Sequence, residues 1–191
     1  MTLDAVACAL FLMAAFVMAG AAHVAWLRCR LSQALAIPID GGLMWRGRRL
    51  LGDNKTIRGL VGMVPATALS FVLLLAAAGD PERAGLWSLP PSGYAALGGW
   101  AGLGFMLGEL PNSFVKRQLG IPPGGTALDR QAATWQFLGD RLDSIAGTLA
   151  ALALVVPVPL ATSAILLVAG PALHLAFSTI MFLLGLKARP A

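Results

Sequence analysis

Charge is scarce in this sequence. Asp, Glu, Lys and Arg make up 12% of its 191 residues, where a soluble globular domain carries about 25%. With 58% of the residues hydrophobic and long apolar runs, that scarcity excludes an ordinary water-soluble domain and indicates an integral membrane protein. Cysteine is nearly absent. Cys8 and Cys29 are the only two, too few and too poorly placed for a disulfide framework or a cysteine zinc site. The two histidines, His23 and His174, lie in apolar stretches with no HExxH pattern and read as packed, neutral side chains. Walker spacing and GxGxxG are both missing, which removes a P-loop and a dinucleotide fold. No internal repeat is present, and that weakens an inverted-repeat transporter. The net charge of +5 is no nucleic-acid signature, because the basic residues lie between apolar spans, where the positive-inside bias accounts for them.

A spanning helix needs ~20 mostly apolar residues. Five segments qualify, at about 5–27, 59–78, 94–110, 142–156 and 160–186. The chain therefore reads as a single membrane-embedded all-α domain, 1–191, with five transmembrane helices. The first segment reads as a retained helix rather than a signal peptide. Asp4 precedes it where a basic residue belongs, and the run is too long for an h-region. With five spans, residues 28–58, 111–141 and the C-terminal tail share one side. That side holds 13 of the 14 basic residues, Lys187 and Arg189 among them, and only Arg83 falls opposite. The asymmetry orients the N-terminus outside and the C-terminus in the cytoplasm. Gly98/Gly102 and Gly104/Gly108 are GxxxG pairs on the third helix. They read as close packing within the monomer rather than a dimer face. The oligomeric state is left open.

What charge there is comes in two patches. Seventeen of the 23 charged residues fall within 28–58 or 109–143. Hydrocarbon cannot solvate them, so their clustering beside apolar helices marks a site. Asp140 and Asp143 are three residues apart, which on a helix places both carboxylates on one face, ~5–6 Å apart. Two like charges that close repel unless a cation intervenes. Mg²⁺, which takes carboxylates, substrate phosphates and waters, suits the pair. Glu109, at the cytoplasmic end of the third helix, is the third carboxylate. The plainer alternative is Asp140 as a solvated cap paired with an arginine. Lys116 and Arg117 follow Glu109 by two turns. With Lys55 and Arg58 they have the chemistry to hold a polyphosphate. Lys55 and Arg58 sit in Gly52-Asp53-Asn54-Lys55-Thr56-Ile57-Arg58-Gly59, a turn followed by spaced donors, similar in principle to a phosphate-cradling loop.

These motifs resemble a family. Gly52-Asp53-x-Lys55-Thr56-x-Arg58-Gly59 is similar to the G-D-x-K-T-x-R-G segment of CDP-archaeol synthases, and Pro38-Ile39-Asp40-Gly41-Gly42 and Gly47-Arg48-Arg49-Leu50-Leu51 resemble its lead-in. Gly108-Glu109-Leu110-x-x-Ser113-Phe114-x-Lys116-Arg117-x-Leu119-Gly120 resembles that family's G-D-L-x-x-S-F-x-K-R-x-L-G run. Asp140-Arg141-Leu142-Asp143-Ser144 resembles its D-x-x-D end, and is closer still to the D-R-x-D-S of bacterial CDP-diacylglycerol synthases. The resemblance covers about 38–148. It implies a membrane cytidylyltransferase of phospholipid biosynthesis, in which a lipid phosphate attacks the α-phosphorus of CTP to give a CDP-lipid and pyrophosphate. Glu109, Asp140 and Asp143 then hold Mg²⁺, with two ions possible. Asp53, Asn54, Lys55, Thr56, Arg58, Ser113, Lys116 and Arg117 bind CTP, and Asp140, Asp143 and Lys116 are the catalytic candidates. The partners are CTP, a membrane lipid phosphate and the bilayer, with the active site facing the cytoplasm.

The sequence departs from the family pattern in places. Glu109 replaces the usual aspartate, and Ile57 an aromatic residue. Pro111 is expected to break the third helix near the site. Residues 121–138 read as a turn followed by a short interfacial helix bearing Trp135 and Phe137. The remaining alternatives are CDP-diacylglycerol synthase activity on phosphatidic acid, a small membrane transporter, and a non-catalytic scaffold built on the GxxxG faces.

Overall fold

Apolar helices need caps, and the first finds one at once. Asp4 accepts a hydrogen bond from the amide of Ala7 at 2.7 Å, opening α1 (Ala5–Arg28). The computed structural model describes residues 2–126 and 128–186. After α1 come a single turn, α2 (Arg30–Gln33), and a two-stranded hairpin of β1 (Met44–Trp45) and β2 (Arg48–Arg49). The long helices α3 (Ile57–Ala78), α4 (Pro91–Gln118), α5 (Arg130–Ala153) and α6 (Leu160–Leu183) follow. The described chain is thus all-helical apart from the hairpin. α1, α3 and α6 are each long and apolar enough to cross a membrane. Lys187 and Arg189, counted above toward the inner face, lie outside the described residues.

Two expectations are corrected here. Pro111 does not end its helix but lies within the 28 residues of α4. Trp135 and Phe137 do not form a separate short helix but belong to the first turns of α5, capped by Asp129, which accepts from the amide of Ala132 at 2.8 Å. Both helices outrun their apolar stretches for the same reason. Each meets its polar extension with polar groups of the other, so the helix has no cause to stop where hydrophobicity does. The second polar segment is consequently mostly helix and only partly loop.

Glycine sets how closely the helices cross. A methyl group added at Gly98 would stand 2.7 Å from the Thr67 carbonyl of α3. One added at Gly108 would stand 2.8 Å from Gly147 Cα of α5, and one at Gly104 would stand 2.6 Å from the Gly147 carbonyl. The two GxxxG pairs therefore serve two different neighbours inside one molecule, and α4 lies between α3 and α5. Away from the charged patches, Phe11, Phe71, Trp87 and Tyr94 pack edge to face, with Phe11–Phe71 centroids 5.1 Å apart. The polar tips in this cluster are satisfied: Tyr94 donates to the Trp87 carbonyl and Trp87 to the Pro157 carbonyl, each at 2.8 Å.

Candidate functional site

Where α4 and α5 leave their glycine contact, one polar chain runs across the crossing. Glu109, Asn112 and Lys116 share a face of α4, at spacings that bring successive turns together. Asp140, Asp143 and Ser144 answer from α5. Lys55, from the loop before α3, pairs with Glu109. The Ser144 hydroxyl lies 3.0 Å from Glu109 Oε1 and 3.1 Å from Asp143 Oδ1, with one proton for the two carboxylates. The Asn112 amide donates to Asp143 Oδ2 at 2.8 Å and to Asp140 Oδ1 at 2.6 Å. Lys116 closes the chain on Asp140. The three predicted acids are thus brought together, each joined to the next by a single bridging side chain. Asp140 is no solvated cap, since it lies inside α5 and pairs with a lysine.

The three acids and both lysines of this polar chain open on one cavity of about 580 Å³. Every residue singled out from the sequence lines it: Asp53, Asn54, Lys55, Thr56, Arg58, Glu109, Ser113, Lys116, Arg117, Asp140 and Asp143. Its deeper walls are apolar side chains of α1, α4 and α6, among them Phe16, Phe105 and Phe177. Arg117 is only 7% exposed. Its Nε and Nη1 are buried without a hydrogen-bond acceptor among the described residues, as is Nε of Arg58. Buried guanidinium donors are ordinarily paired, so each of these two arginines holds buried donors open to an acceptor.

The loop carrying Lys55 is held from behind. Asp40, buried, accepts from Arg49 Nη2 at 2.7 Å and from the amides of Gly42, Leu51 and Gly52 at 3.0–3.2 Å. Burial raises the Asp40 carboxyl, but Arg49 and the Leu51, Gly42 and Gly52 amides outweigh it and hold it well below the usual carboxylate range. Arg49 also grips Asp53 at 2.7 Å, so the predicted CTP ligand Asp53 is partly spent on fixing its own loop. The donors this loop offers an anion are the side chains its spacing suggested, not the start of α3. The first amides of α3 are already bonded, Ile57 to the Ile37 carbonyl at 2.9 Å and Arg58 to the Leu35 carbonyl at 2.8 Å. Donors for an anion here come from side chains.

The oxygen-only set of Glu109, Asp140 and Asp143 has the chemistry of a magnesium site. As the side chains lie, no three His, Cys, Asp or Glu groups among the described residues stand close enough to hold an ion. Two of the acids face lysine ammonium groups instead. The residues therefore fit the cation by kind, while as they lie Lys55 and Lys116 occupy two of the carboxylates.

Sequence reasoning missed five participants. Asn112 was an unassigned position within a motif, although it stands three residues after Glu109 and four before Lys116, on their face. Asp40 and Arg49 were seen only as a lead-in. His23 and His174, read as packed core, both line the cavity.

Comparison with known proteins identifies the family. A family model described as CarS-like, CDP-archaeol synthase, matches residues 7–190. The CDP-archaeol synthase of Methanospirillum hungatei is 38% identical over 163 residues, covering 81% of this chain and 89% of its own. That of Halobacterium salinarum is 39% identical over 165 residues, covering 80% and 82%. That of Thermococcus kodakarensis is 32% identical over 163 residues, covering 80% and 81%. No solved structure matches the chain. On the match over nearly its whole length and on these relatives, the chain belongs to the CDP-archaeol synthase family.

Proposed function

We propose that this protein transfers the CMP moiety of CTP to a membrane lipid phosphate, giving a CDP-lipid and pyrophosphate. Membership in the family makes the chain an enzyme, a cytidylyltransferase acting on a lipid phosphate, and removes the transporter and scaffold readings. The observation that carries the reading of the site is Arg117. A buried guanidinium with acceptor-less donors, in a cavity that also holds Lys55, Lys116 and three carboxylates, calls for a polyanion.

The chemistry follows from the residues. An oxygen of the lipid phosphate attacks the α-phosphorus of CTP, and the bond to the pyrophosphate oxygen breaks. The nucleophile is already ionised, so no general base is needed. Arg117, Arg58, Lys55 and Lys116 grip the triphosphate and stabilise the charge that gathers on the departing pyrophosphate. Ser113, Asn54 and Thr56 supply neutral donors, and Asp53 keeps the loop in place. Mg²⁺, held by Glu109, Asp140 and Asp143, would screen the charge between the two anions and orient them. Asn112 and Ser144 hold the carboxylates in register. The apolar walls supplied by α1, α4 and α6 suit the lipid tails.

The same reading takes 1–191 as one domain with five spans, N-terminus outside, and the site at the cytoplasmic face of the cell membrane. The basic residues of the hairpin segment and of the α4–α5 corner support that orientation. The test is incubation of purified protein with labelled CTP, Mg²⁺ and a mixture of ether-isoprenoid and ester-acyl lipid phosphates, followed by mass spectrometry. A CDP-lipid is expected, and the preferred tail decides between the archaeol and diacylglycerol substrates. No CDP-lipid from either would refute the proposal.

A further inference from the structure

The β1–β2 hairpin carries exposed apolar side chains outside the helix bundle. Its two-residue turn, Arg46-Gly47, has both φ angles positive, at 51° and 75°, the geometry that suits right-twisted strands. Leu43, Met44 and Trp45 beside it are 64%, 61% and 54% exposed. Arg46 lies over the Trp45 ring at 5.9 Å, and Arg48 is exposed as well.

The hairpin's height is set by α4. Twenty-eight residues of helix measure about 42 Å, close to the 40–45 Å of a bilayer with its headgroups. The hairpin packs on the last turn of that helix. Arg48 donates to the Gln118 carbonyl, and the Gln118 amide donates to the Arg49 carbonyl at 3.3 Å. On the five-span reading proposed above, in which α4 crosses the bilayer, the hairpin therefore stands at the level of one headgroup layer. Tryptophan with arginine is the composition that layer favours, and the arginines complement anionic lipid.

We propose that the hairpin docks on the anionic bilayer surface, with Leu43, Met44 and Trp45 at the acyl boundary and Arg46 against lipid phosphates. Through Arg49, bonded to both Asp40 and Asp53, the seated hairpin fixes the loop that bears Lys55.

The experiment does not depend on catalysis. The protein is reconstituted in vesicles of neutral lipid alone or with added anionic lipid, each with brominated acyl chains. The Trp45 signal is taken as wild type minus Trp45→Phe. Quenching of that signal by bromine, stronger with anionic lipid, is expected. Arg46→Ala should lower the inserted-to-withdrawn ratio about fivefold, the effect of one arginine near a charged surface. If Trp45→Phe fails to fold, Met44→Trp on the otherwise native chain serves as an added reporter and should gain the same quenching. A Trp45 signal quenched by aqueous acrylamide and untouched by bromine would overturn the proposal. So would one indifferent to anionic lipid, or one shielded in detergent as protein concentration rises, which would mean a second copy covers the hairpin.

Discussion

Replacing Arg117 with methionine should make the empty protein more stable while disabling it. In the resting structure the Arg117 guanidinium is buried and two of its donors have no acceptor. Each unsatisfied buried donor costs about 1–3 kcal/mol. Methionine fills a similar volume with no polar group, and its flexible thioether adapts to irregular space. Allowing for the lost attraction between Arg117 and Asp140, a net gain of about 1–3 kcal/mol is expected. At about 2–4 °C per kcal/mol for a chain of this size, that raises the apparent Tm by roughly 2–12 °C. CTP with Mg²⁺ at a hundred times Kd should stabilise the wild type by about 2.7 kcal/mol. The variant should show little of that shift. The assay is a thermal melt in detergent, with and without nucleotide. An Arg117→Met protein that melts below the wild type when empty, or that keeps the full nucleotide shift, would refute the reasoning.

Asn112→Leu removes the amide shared by Asp140 and Asp143. It should raise the Mg²⁺ concentration for half-maximal activity about 10–100-fold, read from a metal titration at saturating CTP, with helicity unchanged. Gly147→Ala pushes a methyl group to within 2.6 Å of Gly108 Cα. It should force α5 off α4, separate Asp143 from Glu109, and lower activity and Tm together. The Asp40 carboxyl is depressed in the folded state, so its contribution is complete above the ordinary carboxylate pKa, near 4, and is lost as pH falls below it. Asp40→Asn should therefore destabilise by about 1.5–3 kcal/mol at neutral pH, and the gap to wild type should begin to narrow near pH 4 and keep narrowing as melts are taken at lower pH.

The helices were legible because bilayer-facing residues must be apolar, and α1, α3 and α6 follow the predicted spans to within a few residues. α4 and α5 were cut short for a physical reason. Hydropathy records which residues can face hydrocarbon, and Asn112, Lys116 and Asp140 instead bond one another where the two helices cross. The acids and bases of the cavity were visible because charge is so rare in this chain. Asn112 was not, since a neutral amide carries no such signal and its role appears only when two helices cross. Asp40 was hidden differently. Its partners are a distant arginine and three backbone amides, and no spacing along the chain reveals a loop folding back on a carboxylate. The histidines were judged by their apolar neighbours in sequence, while the cavity cuts through those same helices.

The pairing of each terminal lysine with an acid has a further effect. Asp53, Glu109, Asp140 and Asp143 face Lys55, Arg58, Lys116 and Arg117 across one pocket, so its ionised groups cancel. Bare phosphate would strand two carboxylates on pulling the ammonium groups away, and a lone divalent ion would strand the ammonium groups. A guest that brings its own counterion leaves nothing stranded, which on the proposed function is what a metal-bound nucleotide does.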